Sequence, residues 1–271
     1  MLRKVLLTLL GLLIVVVAFT GPVDEISRDT AEQAFRRALV TFAIARTLNG
    51  VISVAQGTEV AVEPAGVGVN FAPGEVLDPI NDLVERFSSV MLVATSALGA
   101  QNILLRISAW PGISVLVGLA VAVFLVFTWL GRSENNTRIA WRVMVVVMAL
   151  RFAVPVIVIG TGLVFDTFLE AEHAKATQAL QKTSEEIREL NADTNAPELP
   201  DSVLGRIGAF IDDSLDQANL TERFDSFRER MAGASEHIIN LIVVFTLQTI
   251  VIPIAFLWLL VQGLRRLIEP A

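Results

Sequence analysis

Four runs of apolar residues dominate the chain: Val5–Thr20, Ile113–Leu130, Val143–Phe165 and Ile238–Val261. At 1.5 Å of rise per residue, a helix of these lengths crosses or nearly crosses ~30 Å of hydrocarbon. Backbone polar groups in lipid must be satisfied within the segment, so each run is expected to be a helix. With 54% hydrophobic and 18% charged residues, the 271-residue chain is too apolar for an ordinary soluble domain. The expected class is a mainly α membrane protein with four transmembrane helices. The first run follows Arg3 and Lys4, as in a signal peptide, but VAFTGPVDE offers no small-x-small cleavage site. Residues 1–20 are therefore expected to stay as an anchor.

Charge orients these spans. Short basic segments mark the cytoplasmic side. Arg3 and Lys4 precede the first span, Arg132, Arg138 and Arg142 occupy the 131–142 loop, and Arg265 and Arg266 follow the last span. Residues 21–112 hold ten acids and 166–237 hold sixteen, so 26 of the 28 acids fall in the two long connections. Both termini are thus expected in the cytoplasm and both acidic segments outside, with a bacterial inner membrane as the simplest setting. Trp110, Trp129, Trp141 and Trp258 all fall near span boundaries, as an interfacial belt requires.

The first outer segment, 21–112, is expected to be α+β. Thr30-x-x-Gln33 fits a capping box, followed by an apolar face of Ala31, Ala34, Phe35, Ala38, Leu39 and Phe42. Alternation at Val60 and Val62, then Val67, Val69 and Phe71, around Pro64-Ala65-Gly66, is a β-hairpin signal. Asp78-Pro79 resembles an N-cap with proline at the first helical position. Residues 88–107 are nearly apolar enough to span, but Ser88, Thr95, Asn102 and Arg106 form one stripe. That stripe is read as the wet face of an amphipathic helix, or the lining of an outer vestibule in an oligomer.

The second outer segment, 166–237, repeats in four–three steps at Leu169, His173, Ala176, Leu180, Thr183, Ile187 and Leu190. It does so again at Leu220, Phe224, Phe227, Met231, Ala234 and Ile238. Four–three spacing is a coiled-coil seam. Spans three (within 113–165) and four (within 238–271) are expected to continue outward as an antiparallel helical hairpin.

Few residues suggest chemistry. Arg151 stands in the third span, where a central arginine is unfavourable by roughly 2.5–3.5 kcal/mol, and no span carries an acid to pair with it. Gln248 on the fourth span offers an amide oxygen at comparable depth, and Arg151 can also snorkel toward the cytoplasmic face. Pro155 and Pro253 are expected to kink their helices. Asp166, Glu170, His173, Glu236 and His237 would meet just outside the membrane if the hairpin closes. Glu170-x-x-His173 has di-metal bundle spacing, but it occurs once, and a pH-sensitive contact or plain packing is the preferred reading. Asn219-Leu220-Thr221 and Asn135-Asn136-Thr137 match the glycosylation pattern, which recurs by chance.

The function classes narrow accordingly. There is no cysteine, no tyrosine, and two histidines, so acid–base and thiol chemistry are poorly supplied. Gly66-x-Gly68 lacks the Gly-Lys-Ser/Thr of a phosphate loop. A net charge of −7 argues against nucleic acid. No enzyme, cofactor or metal is expected. The expected partners are the lipid bilayer, further copies of the chain, and a protein at the extracytoplasmic face. Two functions stand: a self-associating membrane scaffold or accessory assembly protein, and a homo-oligomeric ion channel with Arg151 and Gln248 near its pore.

Overall fold

A computed structural model describes residues 1–57, 73–131, 134–194 and 233–268. The described residues are almost wholly helical and contain no strand. The expected β-hairpin over 60–71 lies outside them. In chain order the helices are α1 (Leu2–Thr20), α2 (Pro22–Gly57), α3 (Pro73–Ser108), α4 (Pro111–Leu130), α5 (Glu134–Val164), α6 (Glu170–Thr194) and α7 (Gly233–Ile268). A π turn, Phe165–Leu169, joins α5 to α6, and a second, Leu247–Val251, lies within α7.

Helix ends follow local chemistry. α1 stops at Gly21, whose φ of 71° is the left-handed conformation that glycine adopts without a Cβ clash. Pro22 then supplies a preset φ at the first position of α2, and Asp24 and Glu25 complement the positive end of its dipole. That start signal overrides the expected capping box. Thr30 is interior to α2 and its hydroxyl donates to the Ile26 carbonyl, 2.8 Å away. α3 likewise begins at Pro73, so Pro79 lies inside the helix rather than at its first position. α5 begins at Glu134, so most of the expected 131–142 loop is helix. Gly131, with φ 61°, closes α4.

Among the described residues, four helical runs are long and apolar enough to cross a membrane: Pro79–Ser108, Pro111–Leu130, Glu134–Glu185 and Gly233–Ile268. α1 passes the same test jointly with α2 as a pair bent by 48°, which makes up to five. The set differs from expectation at α3, which is apolar enough to qualify, and at α1, which does so only together with α2. Ser88 is 5% exposed, and Thr95 has a buried hydroxyl, while Ile103, Leu104 and Ile107 face outward. The polar stripe is therefore not uniformly wet: Ser88 is buried and Thr95 and Asn102 half-buried, while Arg106 and the adjoining Ser89 and Ser96 are exposed.

The described residues pack as two compact units. One draws on Met1–Ala38, Val93–Glu170 and Phe245–Ala271. Within it α1 packs on α4, α4 on α5, and α5 on the C-terminal half of α7. Its core joins Ala18, Val117, Val121, Phe124, Ala140, Met144 and Val145, and a smaller one joins Ala31, Leu105 and Val158. Small residues permit the close approaches. A Cβ at Gly160 would stand 2.7 Å from the Phe256 ring, and one at Gly162 would stand 2.3 Å from Thr30.

The other unit draws on Leu39–Leu92 and Ala171–Val244. Its buried positions recur in four–three steps on every helix segment: Thr41, Ala45, Leu48 and Ile52; Val84, Phe87 and Met91; His173, Ala176 and Leu180; Ala234, Ile238 and Leu241. This is the periodicity of coiled-coil packing, and it includes His173, Ala176 and Leu180 of the expected α6 seam, with Thr183 half-buried and Ser184 buried beside it, and that of α7 from Ala234; the side chains of Ile187 and Leu190 lie outside the described ones. Leu220, Phe224, Phe227 and Met231 lie outside the described residues. Leu39, expected on the apolar face of α2, is exposed.

Candidate functional site: a buried arginine clamp

The geometry around Arg151 starts from the end of α1. The last four carbonyls of a helix lack intrahelical donors. Gly21 N–H serves the Val17 carbonyl at 3.2 Å, which leaves that of Ala18 open. The Gly21-Pro22 corner then starts α2 and brings Asp24 into its first turn. α4 begins at Pro111 and places Ser114 beside the end of α1, where its hydroxyl donates to the Ala18 carbonyl at 2.9 Å.

Arg151 enters this corner from α5 and is 1% exposed. Its Nη1 donates to Asp24 Oδ1 at 2.7 Å and its Nη2 to Asp24 Oδ2, a two-pronged carboxylate pair. Nη2 also donates to the Ala18 carbonyl at 3.2 Å, and Nε to the Ser114 hydroxyl at 3.3 Å. The Phe152 ring lies 5.2 Å from the guanidinium carbon. A planar cation with forked donors suits this arrangement, and a lysine would satisfy one prong at most.

The expected partner of Arg151 was Gln248, or the cytoplasmic surface; the structure gives neither. The pairing acid sits three residues beyond Gly21, just outside the apolar run, and was missed because only acids inside spans were counted. The Arg151 side chain instead meets the C-terminal end of α1 and the first turns of α2 and α4. The signal was present: a buried arginine needs an anion, and Asp24 is the first acid after span one.

Gln248 is also 1% exposed, but its Oε1 accepts no hydrogen bond. It continues the seam of α7 in the same steps, after Ile238, Leu241 and Phe245. It lies in the π turn, where Ile252 N–H reaches back five residues to the Leu247 carbonyl. Pro253 follows at once and has no N–H for the carbonyl four residues back, a setting in which local unwinding is favoured. Pro155, by contrast, is buried inside a continuous α5. Thr161 Oγ1, on α5, is likewise buried without a partner.

The other candidates are distributed as follows. Asp166 and Glu170 are exposed and lie near Arg37 of α2, whose guanidinium carbon stands 4.0 Å above the Phe165 ring. Burial lowers the Arg37 pKa from its ordinary value, against the opposing pull of Asp166 and Glu170. His173 is buried on its seam, with Nε2 3.2 Å from the Thr41 hydroxyl. Glu236 is exposed, and His237 is half-buried with Nδ1 unbonded. Among the described residues no three His, Asp or Glu side chains gather closely enough to hold a metal ion.

The arrangement binds charge to charge, with the Ser114 hydroxyl and the Asp24 carboxylate both engaged by the guanidinium. What it does physically is fasten the α1–α2 corner to α4 and α5. Compared with known families, curated proteins and solved structures, the chain matches no family model, no curated protein and no solved structure.

Proposed function

We propose that the protein is a non-enzymatic membrane scaffold that self-associates through the outer parts of its long helices, with α1, α4, α5 and α7 as its crossings; α3 is also apolar enough, but a fifth crossing would put Arg138, Arg265 and Arg266 outside, against the preference of basic helix ends for the cytoplasm. The observation that carries this is the length of its exposed apolar rows. On α5 and the π turn, exposed large hydrophobics run from Ile139 to Phe168, and on α7 from Ile239 to Leu267. Each row covers ~43 Å at 1.5 Å per residue, against ~30 Å of hydrocarbon. The excess is taken up by a strong tilt or by protein. α1 and α4 argue against strong tilt: at 19 and 20 residues they match the bilayer closely. Closed homo-oligomers are the commonest way to cover such a surface.

In this reading the termini are cytoplasmic and the acidic segments extracytoplasmic, as basic helix ends favour. The channel reading drew on an arginine without a counter-charge. Asp24 supplies one, which weakens that reading.

The cysteine-free chain makes the test direct. Phe168→Cys introduces a single thiol where Phe168 is 73% exposed. Mild oxidation in membranes should yield a disulfide-linked dimer, whereas Glu32→Cys, also exposed, should not. A monomer mass in nanodiscs with no cross-link at position 168 would overturn self-association. Ion flux through the intact protein in liposomes, changed by Arg151→Leu, would restore the channel.

A further inference from the structure

We propose that the groove among α1, α5 and the C-terminal half of α7 binds one anionic phospholipid. The acyl chain would lie along α5 and the phosphate against the basic helix ends. The proposal rests on the bilayer crossing of these helices and not on self-association. The groove encloses about 470 Å³ and is almost entirely apolar, within the size range of small-molecule sites. Leu7 and Ile14 of α1, Met148 and Phe152 of α5, and Gly263 and Leu264 of α7 line it. Along α5 it runs from Trp141 to Val156, ~22 Å at helical rise, more than the ~15 Å of one leaflet's hydrocarbon. That shape fits a chain and offers a head group no polar partner inside.

The polar partners stand at one end. Lys4 lies one turn before Leu7, Arg138 and Arg142 flank Trp141, and Arg265 and Arg266 separate Leu264 from Leu267. All five are exposed, and none forms an ion pair among the described residues. Two of the last carbonyls of α7, which would repel a phosphate, are occupied. Trp141 Nε1 donates to Leu267 at 2.9 Å and Arg142 Nε to Ile268 at 3.3 Å. The N-terminal dipole of α1 adds positive potential at the same end. Gly263 leaves the groove open, because a Cβ there would meet nothing within 4 Å. An apolar slot ending in a basic cluster selects an anionic lipid over a zwitterionic one with the same chains.

The full chain in nanodiscs containing equal phosphatidylglycerol and phosphatidylcholine of matched chains, followed by native mass spectrometry, gives the test. One phosphatidylglycerol per chain should be retained preferentially. Replacing Arg265 and Arg266 by Gln should cut that preference roughly thirtyfold, from ~1 kcal/mol for each basic residue. Gly263→Phe should reduce retention of both lipids. All three positions are exposed, so a changed fold is not expected, and an unchanged melting temperature checks this. Equal retention of the two lipids, or a preference untouched by both variants, overturns the proposal. So does a cross-link between two copies at Gly263→Cys, which would put protein in the groove. Failure of the intact chain to insert into vesicles would remove the membrane reading too, and is thereby distinguishable.

Discussion

Arg151 and Gln248 are equally buried, at 1% exposure each, yet their surroundings are opposite. Arg151 meets a carboxylate, a hydroxyl and an open helix-end carbonyl. Gln248 presents an amide oxygen to no donor. The difference follows from what each group demands. An unpaired buried charge is unfavourable by several kcal/mol, so a sequence that retains one must build a partner. A neutral amide oxygen left unsatisfied is unfavourable by only ~1–3 kcal/mol, which a well-packed helix tolerates. The arginine thus dictates the architecture of its neighbourhood, down to the Gly21 corner that delivers Asp24. The glutamine sits where the seam places it.

The sharpest way to break this contrast is at Asp24. Asp24→Asn keeps the shape and removes the counter-charge, leaving Arg151 buried and unpaired. The expected loss is ~3–5 kcal/mol, read as a lower unfolding midpoint in micelles. Replacing the pair together, Asp24→Leu with Arg151→Met, should recover most of that loss, because apolar substitutes avoid desolvating two charges. A loss under ~1 kcal/mol for Asp24→Asn, the size of an exposed ion pair, would mean that water or lipid phosphate serves Arg151 and that the clamp is incidental.

At Gln248 the expected sign reverses. Gln248→Leu removes the unpaired oxygen while keeping most of the buried volume, and should stabilise the protein by ~1–3 kcal/mol. Thermal unfolding of the two proteins in the same detergent decides it. Destabilisation of similar size would show that the oxygen has a donor, such as a trapped water, and that the two sites are alike after all.

The same contrast explains what the residues made legible. Long apolar runs and the heptads of α6 gave the helices, because hydrophobic period and length act locally. The seam of α2 was legible only at Ala31, Ala34 and Ala38; Ser27, Thr41 and Ala45, equally buried, are small or polar and bury little apolar area each. The residues of α3 from Ser88 onward misled for another reason. It buries Ser88 and Ser108 alongside Met91, Ala94, Leu98 and Leu105, and exposes Leu92, Val93, Ile103, Leu104 and Ile107 alongside Ser89, Ser96 and Arg106, so polarity does not mark which face is wet. Arg151 was legible as a problem but not as a solution. Its partners Ser114 and Asp24 lie 37 and 127 residues away in sequence, and only the α1–α2 corner brings them together. Helix starts at Pro22 and Pro73 were also written in the chain, but stronger-looking caps at Thr30 and Asp78 masked them.

Ser114 offers the finest measure of how the clamp works. Its hydroxyl accepts from Arg151 Nε and donates to the Ala18 carbonyl, so it joins the cation to the end of α1 without carrying charge. Ser114→Ala fits the site sterically and leaves the Asp24 pair in place. If the hydroxyl is one more hydrogen-bonding group, the change should be unfavourable by ~0.5–1.5 kcal/mol, the smallest effect of the three. In a double-mutant cycle, the same change in the Asp24→Asn background separates two mechanisms. Additive losses would mean that Asp24 and Ser114 hold Arg151 independently. A coupling of ~0.5–3 kcal/mol would mean that hydroxyl, carbonyl and carboxylate hold the guanidinium as one network. The corner, rather than the ion pair alone, would then be the unit that the buried arginine requires.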